Sequence, residues 1–228
     1  METRYHEAAA ALGESPFWPT AAILGAAALY ADLPGRFIAG TSAGAFAAAR
    51  WVVPSLTVLL LVALLTTRRI RTPGMHITRR WLSIALIAVV SAANTASIIL
   101  LVHLLLNGAH VNAGPLLRAA VHMWVVNVLL FGLWFWQLDG GGPVARPTCE
   151  PLARDFLFPQ QAEPGLLGGG WHPRFLDYLY VSFTNAAAFS PTDTMPLSRW
   201  AKMLMLVQSA MSLALAVMVV ARAVNILK

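Results

Sequence analysis

Long apolar runs separated by short polar clusters organise this chain. A helix needs about 20 predominantly apolar residues to cross a bilayer, with roughly 17 to 25 tolerated. Trp51 to Thr67, Trp81 to Leu106, Pro115 to Gln137 and Trp200 to Leu227 meet that length and are predicted to span. Phe17 to Leu33 is shorter, Ala-rich and closed by Asp32, Pro34 and Gly35, so it counts as a fifth, marginal or tilted span. Between these runs lie the basic loop Arg68 to Arg80, a Gly- and Asn-rich turn starting at Asn107, and a stretch from Leu138 to Arg174 too rich in Pro and Gly for a helix. No internal repeat is evident, which gives no support to a transporter built from inverted repeats.

The region after that stretch has a different rhythm. Arg174 to Phe189 is 16 residues of helical, apolar composition, or about 24 Å at 1.5 Å per residue, short of a hydrocarbon core of about 30 Å. It stops at Ser190-Pro191 and is followed by the extended polar string SPTDTMPLS, then by a full-length apolar run. That order predicts a re-entrant segment. Irregular backbone is tolerated at membrane depth only where protein buries it or water wets it.

Composition agrees with the pattern. The 228 residues are 58% hydrophobic and 11% charged, against about 25% charged in soluble domains, and the mean hydropathy is +0.65. Too few polar side chains remain to coat a soluble globule, so lipid must solvate much of the surface. The fold class expected is an all-α polytopic membrane protein of five transmembrane helices plus a re-entrant helix, with the lipid bilayer as its first partner. The net charge of +6 comes from basic residues placed between apolar segments. They act as topology determinants, and no nucleic-acid partner is expected. The single cysteine, Cys149, excludes an intramolecular disulfide and a multi-thiolate metal site. The polar, acidic N-terminal stretch predicts an uncleaved start, and Trp51, Trp81, Trp136, Trp171 and Trp200 fit an interfacial belt.

Charge bias also sets an orientation. With the Arg68 to Arg80 loop cytoplasmic, one side holds Arg4, the five Arg of that loop, Arg146, Arg154, Arg174, Arg199 and Lys202, and the other holds Arg36, Arg50, Arg118, Arg222 and Lys228. The positive-inside rule then puts the re-entrant segment on the cytoplasmic side.

Ionisable residues at membrane depth are candidates for function. His103, near a helix end, and Arg222, near the end of the last helix, are explained by reach to an interface. His122, with Asn127 among Trp124, Trp134 and Trp136, is expected as a neutral imidazole bonded across the bundle. His110, His122 and His172 share no ligand spacing, so no metal is assigned and no cofactor is implied. Ser182 and Ser190 lack a Gly-x-Ser-x-Gly context. Asp139 and Asp155, with Glu150 and Glu163, read as a solvated acidic face, and the chain is not expected to be an enzyme.

The order outer span, linker, short helix, extended segment ending in Asp-x-x-Pro, and spanning helix resembles the pore module of the tetrameric potassium-channel superfamily. The bacterial consensus Y-F-S-F-V-T-L-T-T-V-G-Y-G-D-I-V-P-V-S lies without a gap on Tyr180 to Ser198, matching Tyr180, Ser182, Phe183, Asp193, Pro196 and Ser198. The resemblance covers residues 115–228: outer helix 115–137, linker 138–173, pore helix 174–189, filter-like loop 190–198 and inner helix 199–227. Residues 1–114 form a three-span region without such a match. The whole chain also looks like an uncharacterised bacterial integral membrane protein family sharing F-T-N-x-x-A-F-S-P-T-D.

The module implies a homotetrameric cation channel in a bacterial inner membrane, conducting monovalent cations, with Ala188, Phe189, Ser190, Pro191, Thr192 and Asp193 at the filter and Thr184 and Asn185 as polar groups of the pore helix. The family's T-V-G-Y-G falls on Ala188 to Thr192, so both filter glycines are replaced, and Pro191 fixes φ near −65°. A stack of dehydrating potassium sites does not fit that loop. Ser190, Thr192 and Asp193 would instead ring an aqueous constriction with Phe189 as an apolar collar. The other reading is a nonconducting scaffold or accessory subunit derived from the channel fold. The inner run has no Gly from Trp200 onward, and Ser209 and Ser212 stand where it could relax. The family places this segment outside, opposite to the side that charge bias selects.

Overall fold

The computed structural model describes residues 17–33, 54–59, 61–62, 75–106, 113–143, 145–146, 154–163, 171–188 and 193–226. Its long helices with described bounds are α1 (Phe17–Ala31), α2 (Met75–Leu106), α3 (Ala113–Leu138), α5 (Phe175–Ala188) and α6 (Arg199–Ile226), with a four-residue helix α4 (Pro159–Ala162) in the linker. Strands β1 (Phe156–Leu157) and β2 (Met195–Pro196) pair antiparallel, Phe156 opposite Pro196 and Leu157 opposite Met195. The chain is mostly helical. Three helices, not five, are long and apolar enough to cross a membrane among the described residues: Ile77–Leu106, Gly114–Gly141 and Arg199–Ala221. At 15 residues α1 covers only about 22 Å. The expected span from Trp51 lies partly outside the described residues; within it 54–59 and 61–62 are helical.

Local chemistry sets the ends. α2 starts at Met75, inside the expected loop, because His-Ile-Thr-Arg-Arg has no breaker once Pro73-Gly74 is passed. Asp177, in the first turn of α5, accepts the Arg174 N–H at 2.7 Å, and Ser198 Oγ accepts the Ala201 N–H at 3.3 Å ahead of α6. α3 ends where Gly140, Gly141 and Gly142 take φ of 56°, 82° and 95°. At Gly142 a Cβ would also sit 2.8 Å from the Gln137 carbonyl oxygen, so only glycine fits that turn.

α3 is the axis of the bundle, touching α1, α2, α5 and α6. At one end Ala22 and Ile23 of α1 and Leu86, Ile87 and Val90 of α2 pack on Val126, Leu130 and Leu133 of α3. At the other, Tyr30 and Leu33 meet Ile98, Leu101, Leu116, Met123 and Leu215. A third cluster joins Phe131 and Phe135 of α3 to Phe156 and Phe158 of the linker, Tyr178 and Val181 of α5, and Ala201 and Met205 of α6. The starts of α1, α2, α5 and α6 and the end of α3 therefore share one end, the linker end.

α5 runs inward from there, parallel to α6 and against α3. Tyr178 packs level with Ala201, and Asn185 reaches Met205, roughly 9 Å along α6 from its start. By Met195 the chain is back at the linker end, paired to β1. Close approach of α5 depends on Gly132, where a Cβ would lie 3.2 Å from Leu179 Cα. Small residues at such crossings let helices meet in lipid, where packing rather than hydrophobicity drives association. The expected tryptophan belt is only partly present: Trp81 is exposed, whereas Trp136, Trp171 and Trp200 pack on Phe175, Phe158 and Phe156.

Candidate functional site

Two polar clusters hold α5, one at each end. At the linker end stands Asp139, 0% exposed. Its Oδ1 accepts the backbone N–H of Asp155 (2.8 Å) and Phe156 (3.2 Å), and its Oδ2 accepts the Tyr178 hydroxyl and faces Arg146 Nε at 3.4 Å. Arg146 donates in turn to the carbonyls of Trp136 and Pro173, and its guanidinium lies 4.7 Å from the Tyr178 ring centre. Asp155 Oδ2 accepts the Gly140 N–H at 3.2 Å. Buried charges persist where they are paired and their remaining lone pairs and protons are used, as here.

This corrects the sequence expectation of a solvated acidic face: Asp139 is fully buried and Asp155 braces the glycine turn, while Glu163 is exposed and Glu150 lies outside the described residues. The reason is tertiary, since the Gly140–Gly142 turn folds the linker back over α3 and covers the carboxylate. β1 is then positioned to capture β2, with the Leu197 N–H donating to the Asp155 carbonyl at 2.7 Å.

The second cluster is neutral and deeper. Gln208 of α6 donates to the Ser182 hydroxyl (2.7 Å) and carbonyl (2.9 Å), and its Oε1 accepts Asn185 Nδ2 at 2.8 Å. Asn185 also donates to the Met205 carbonyl at 3.0 Å, and Ser209 Oγ donates to Asn185 Oδ1 at 3.1 Å. Ser182 donates to the Val128 carbonyl at 2.7 Å, and Asn127 donates to Ser212 Oγ at 3.1 Å. Ser182, Asn185, Gln208, Asn127 and Ser212 are all buried. α3, α5 and α6 are thus laced together in an apolar bundle by amides and hydroxyls. Ser209 and Ser212, expected as points of relaxation, serve as cross-helix partners.

Of the residues singled out from sequence, Asn185 lies at the centre of this network. Thr184 bonds back to the Tyr180 and Val181 carbonyls of its own helix. Ala188 ends α5 and Asp193 is exposed ahead of β2. Phe189, Ser190, Pro191 and Thr192 lie outside the described residues. His122 Nδ1 stands 3.5 Å from Asp32 Oδ2, so this imidazole does bridge helices, from α3 to the end of α1. No group of three His, Cys, Asp or Glu side chains able to hold a metal occurs among the described residues. Sequence reading missed Gln208, Ser182, Asp139, Arg146 and Tyr178 as partners. A hint was available in the polar residues spaced three and four apart, Asn185 on one segment and Gln208 with Ser212 on another, which face neighbouring helices.

The outer face of α5 is apolar. With α3 it forms an open groove of 440 Å³ lined by Trp124, Val128, Leu129, Leu176, Tyr180 and Phe183, and Trp124 meets Phe183 edge to face at 5.7 Å. Comparison with family models, with curated proteins and with solved structures finds no match to the chain.

Proposed function

We propose that this chain is a channel-like subunit of a bacterial inner membrane, a homotetramer in which residues 188–193 surround a pathway for hydrated monovalent cations. The observation that carries the reading is the path of α5: it enters the bundle from the linker end, stops at Ala188 beside the middle of α3 and α6, and the chain has returned to the same end by Met195. A single outer helix, re-entrant helix and inner helix cannot enclose a conduit, so the pathway needs several copies. The long exposed apolar surface of α6, including Met203, Leu206, Leu213, Val217 and Val220, leaves room for them. Seven basic residues, Arg79, Arg80, Arg146, Arg154, Arg174, Arg199 and Lys202, gather at the linker end, which supports a cytoplasmic position for it.

A nonconducting scaffold is the second reading, favoured by one observation: Ser182, Thr184 and Asn185 all spend their hydrogen bonds inside the bundle or on their own helix. Cation flux in proteoliposomes separates the two. Conduction expects flux that depends on cation identity and that falls several-fold in Asp193→Asn at unchanged tetramer mass. Tetramers that pass no cation, both as wild type and as Phe189→Ala, would assign the chain to the scaffold.

A further inference from the structure

The groove between α3 and α5 belongs to neither polar cluster. Its α5 wall is a stripe, Leu176, Tyr180 and Phe183, spaced four and three apart and all exposed, and its α3 wall is Trp124, Val128 and Leu129. Because α5 runs inward from the linker end, Leu176 marks the mouth, and Phe183, edge to face with Trp124, marks the deep end. The helix rises about 10 Å between them, or two-thirds of the hydrocarbon of one leaflet at about 15 Å. Over that length 440 Å³ amounts to a mean cross-section of about 40 Å², whereas an α-helix about 10 Å across needs about 80 Å². The groove is too narrow to take in a helix of a second copy, and an extended methylene chain fits it. Beyond Trp124 the same face of α3 continues with Val121 and Leu117, both exposed, so the apolar track does not end with the groove.

In lipid an apolar groove gains nothing from hydrophobicity alone, because lipid tails are as apolar as leucine; shape and charge decide what stays in it. The charge stands at the mouth. Arg174 precedes Leu176 by two residues and is exposed, and its guanidinium makes no hydrogen bond or ion pair among the described residues. Asp177, the nearest acid along the helix, lies one position off the stripe and spends Oδ2 on the Arg174 N–H. Arg79, Arg80, Arg154, Arg199 and Lys202 gather at the same end, and basic side chains at a membrane surface attract anionic lipid. We propose that this groove binds an anionic phospholipid, with one acyl tail between α3 and α5 and the headgroup phosphate paired to Arg174. The tail braces α5 on the side that the two polar clusters leave open, and this is independent of whether the module conducts.

The test uses the full chain, taken from vesicles of equal parts phosphatidylglycerol and phosphatidylcholine into native mass spectrometry. The wild type is expected to retain one phosphatidylglycerol per chain in preference to phosphatidylcholine; equal retention of the two lipids, or of neither, overturns the proposal. Arg174→Gln should still hold a lipid but with its preference lowered about fivefold, which corresponds to about 1 kcal/mol for one basic residue at an anionic surface; an unchanged preference overturns the pairing. Leu176→Trp, at an exposed position of the mouth, should retain several-fold less lipid at an unchanged unfolding midpoint. A fluorescence measurement needs no change to the groove mouth: phosphatidylglycerol brominated on its tail should quench Trp124 more strongly than brominated phosphatidylcholine, the Trp124 share being the difference between wild type and Trp124→Phe, and equal quenching overturns it. In a Cys149→Ser background, a disulfide between copies carrying Tyr180→Cys would give the groove to a second copy and overturn the lipid site.

Discussion

The two polar clusters that hold α5 use different chemistry at different depths. The latch at the linker end is ionic, with Asp139 and Arg146 buried together and shared among a tyrosine, two backbone N–H groups and two carbonyls. The network around Gln208 is neutral throughout. Charge becomes costlier toward the bilayer centre, whereas amides and hydroxyls stay affordable once paired. Ion pairing is therefore found where the helix enters, and amide bonding where it ends. The linker end gains strength per contact, and the deeper network gains direction, because amide donors and acceptors fix both the height and the rotation of α5 against α6.

That contrast can be broken from either side. The largest effect is expected from Asp139→Ala, which strands the Arg146 guanidinium and two backbone N–H groups in a buried site; about 3–5 kcal/mol of stability should go, read as a lowered unfolding midpoint in denaturant. Because the loss comes from the stranded charge, Asp139→Leu combined with Arg146→Met should recover much of it. A double variant no better than the single one would mean that the latch acts through hydrogen-bond geometry alone. Gly132→Ala tests the surface that both clusters depend on. Its new Cβ meets the Leu179 backbone at 3.2 Å, which cannot yield without moving α5, so about 1–3 kcal/mol is expected, with changed cross-linking between α3 and α5. Gln208→Leu should cost least, about 0.6–1.7 kcal/mol, since Asn185 retains the Met205 carbonyl and Ser182 the Val128 carbonyl. Its sharper signature is rotational: spin labels on α5 and α6 should report a broader distance distribution, and an unchanged one would show that packing alone orients α5.

Much of the frame was legible in the pattern of residues. The limits of α3 and α6 lie within two residues of the expected ones, and the helix expected over 174–189 is Phe175–Ala188, because apolar length and Pro-Gly punctuation are local signals. The start of α2 was less legible, since a polar helix turn resembles a loop when hydropathy alone is read. Asn185 stood out as a polar residue in an apolar helix, but Gln208 did not, because its partners Ser182 and Asn185 lie 26 and 23 residues away.

The latch was hidden for the same reason. Asp139 reads as one more linker carboxylate until the Gly140–Gly142 turn brings Asp155, Arg146 and Tyr178 around it. By itself, then, the sequence determined the mostly helical class, the presence of helices long and apolar enough to cross a membrane, the limits of α3 and α6 and the shortness of α5. These follow from the cost of placing unpaired backbone or charge in hydrocarbon, which acts on each segment separately. The tertiary structure alone decided which acids are buried, which amides meet and where the returning chain is clipped. Those choices depend on pairings between distant segments, and no local pattern encodes a partner that only folding brings within reach.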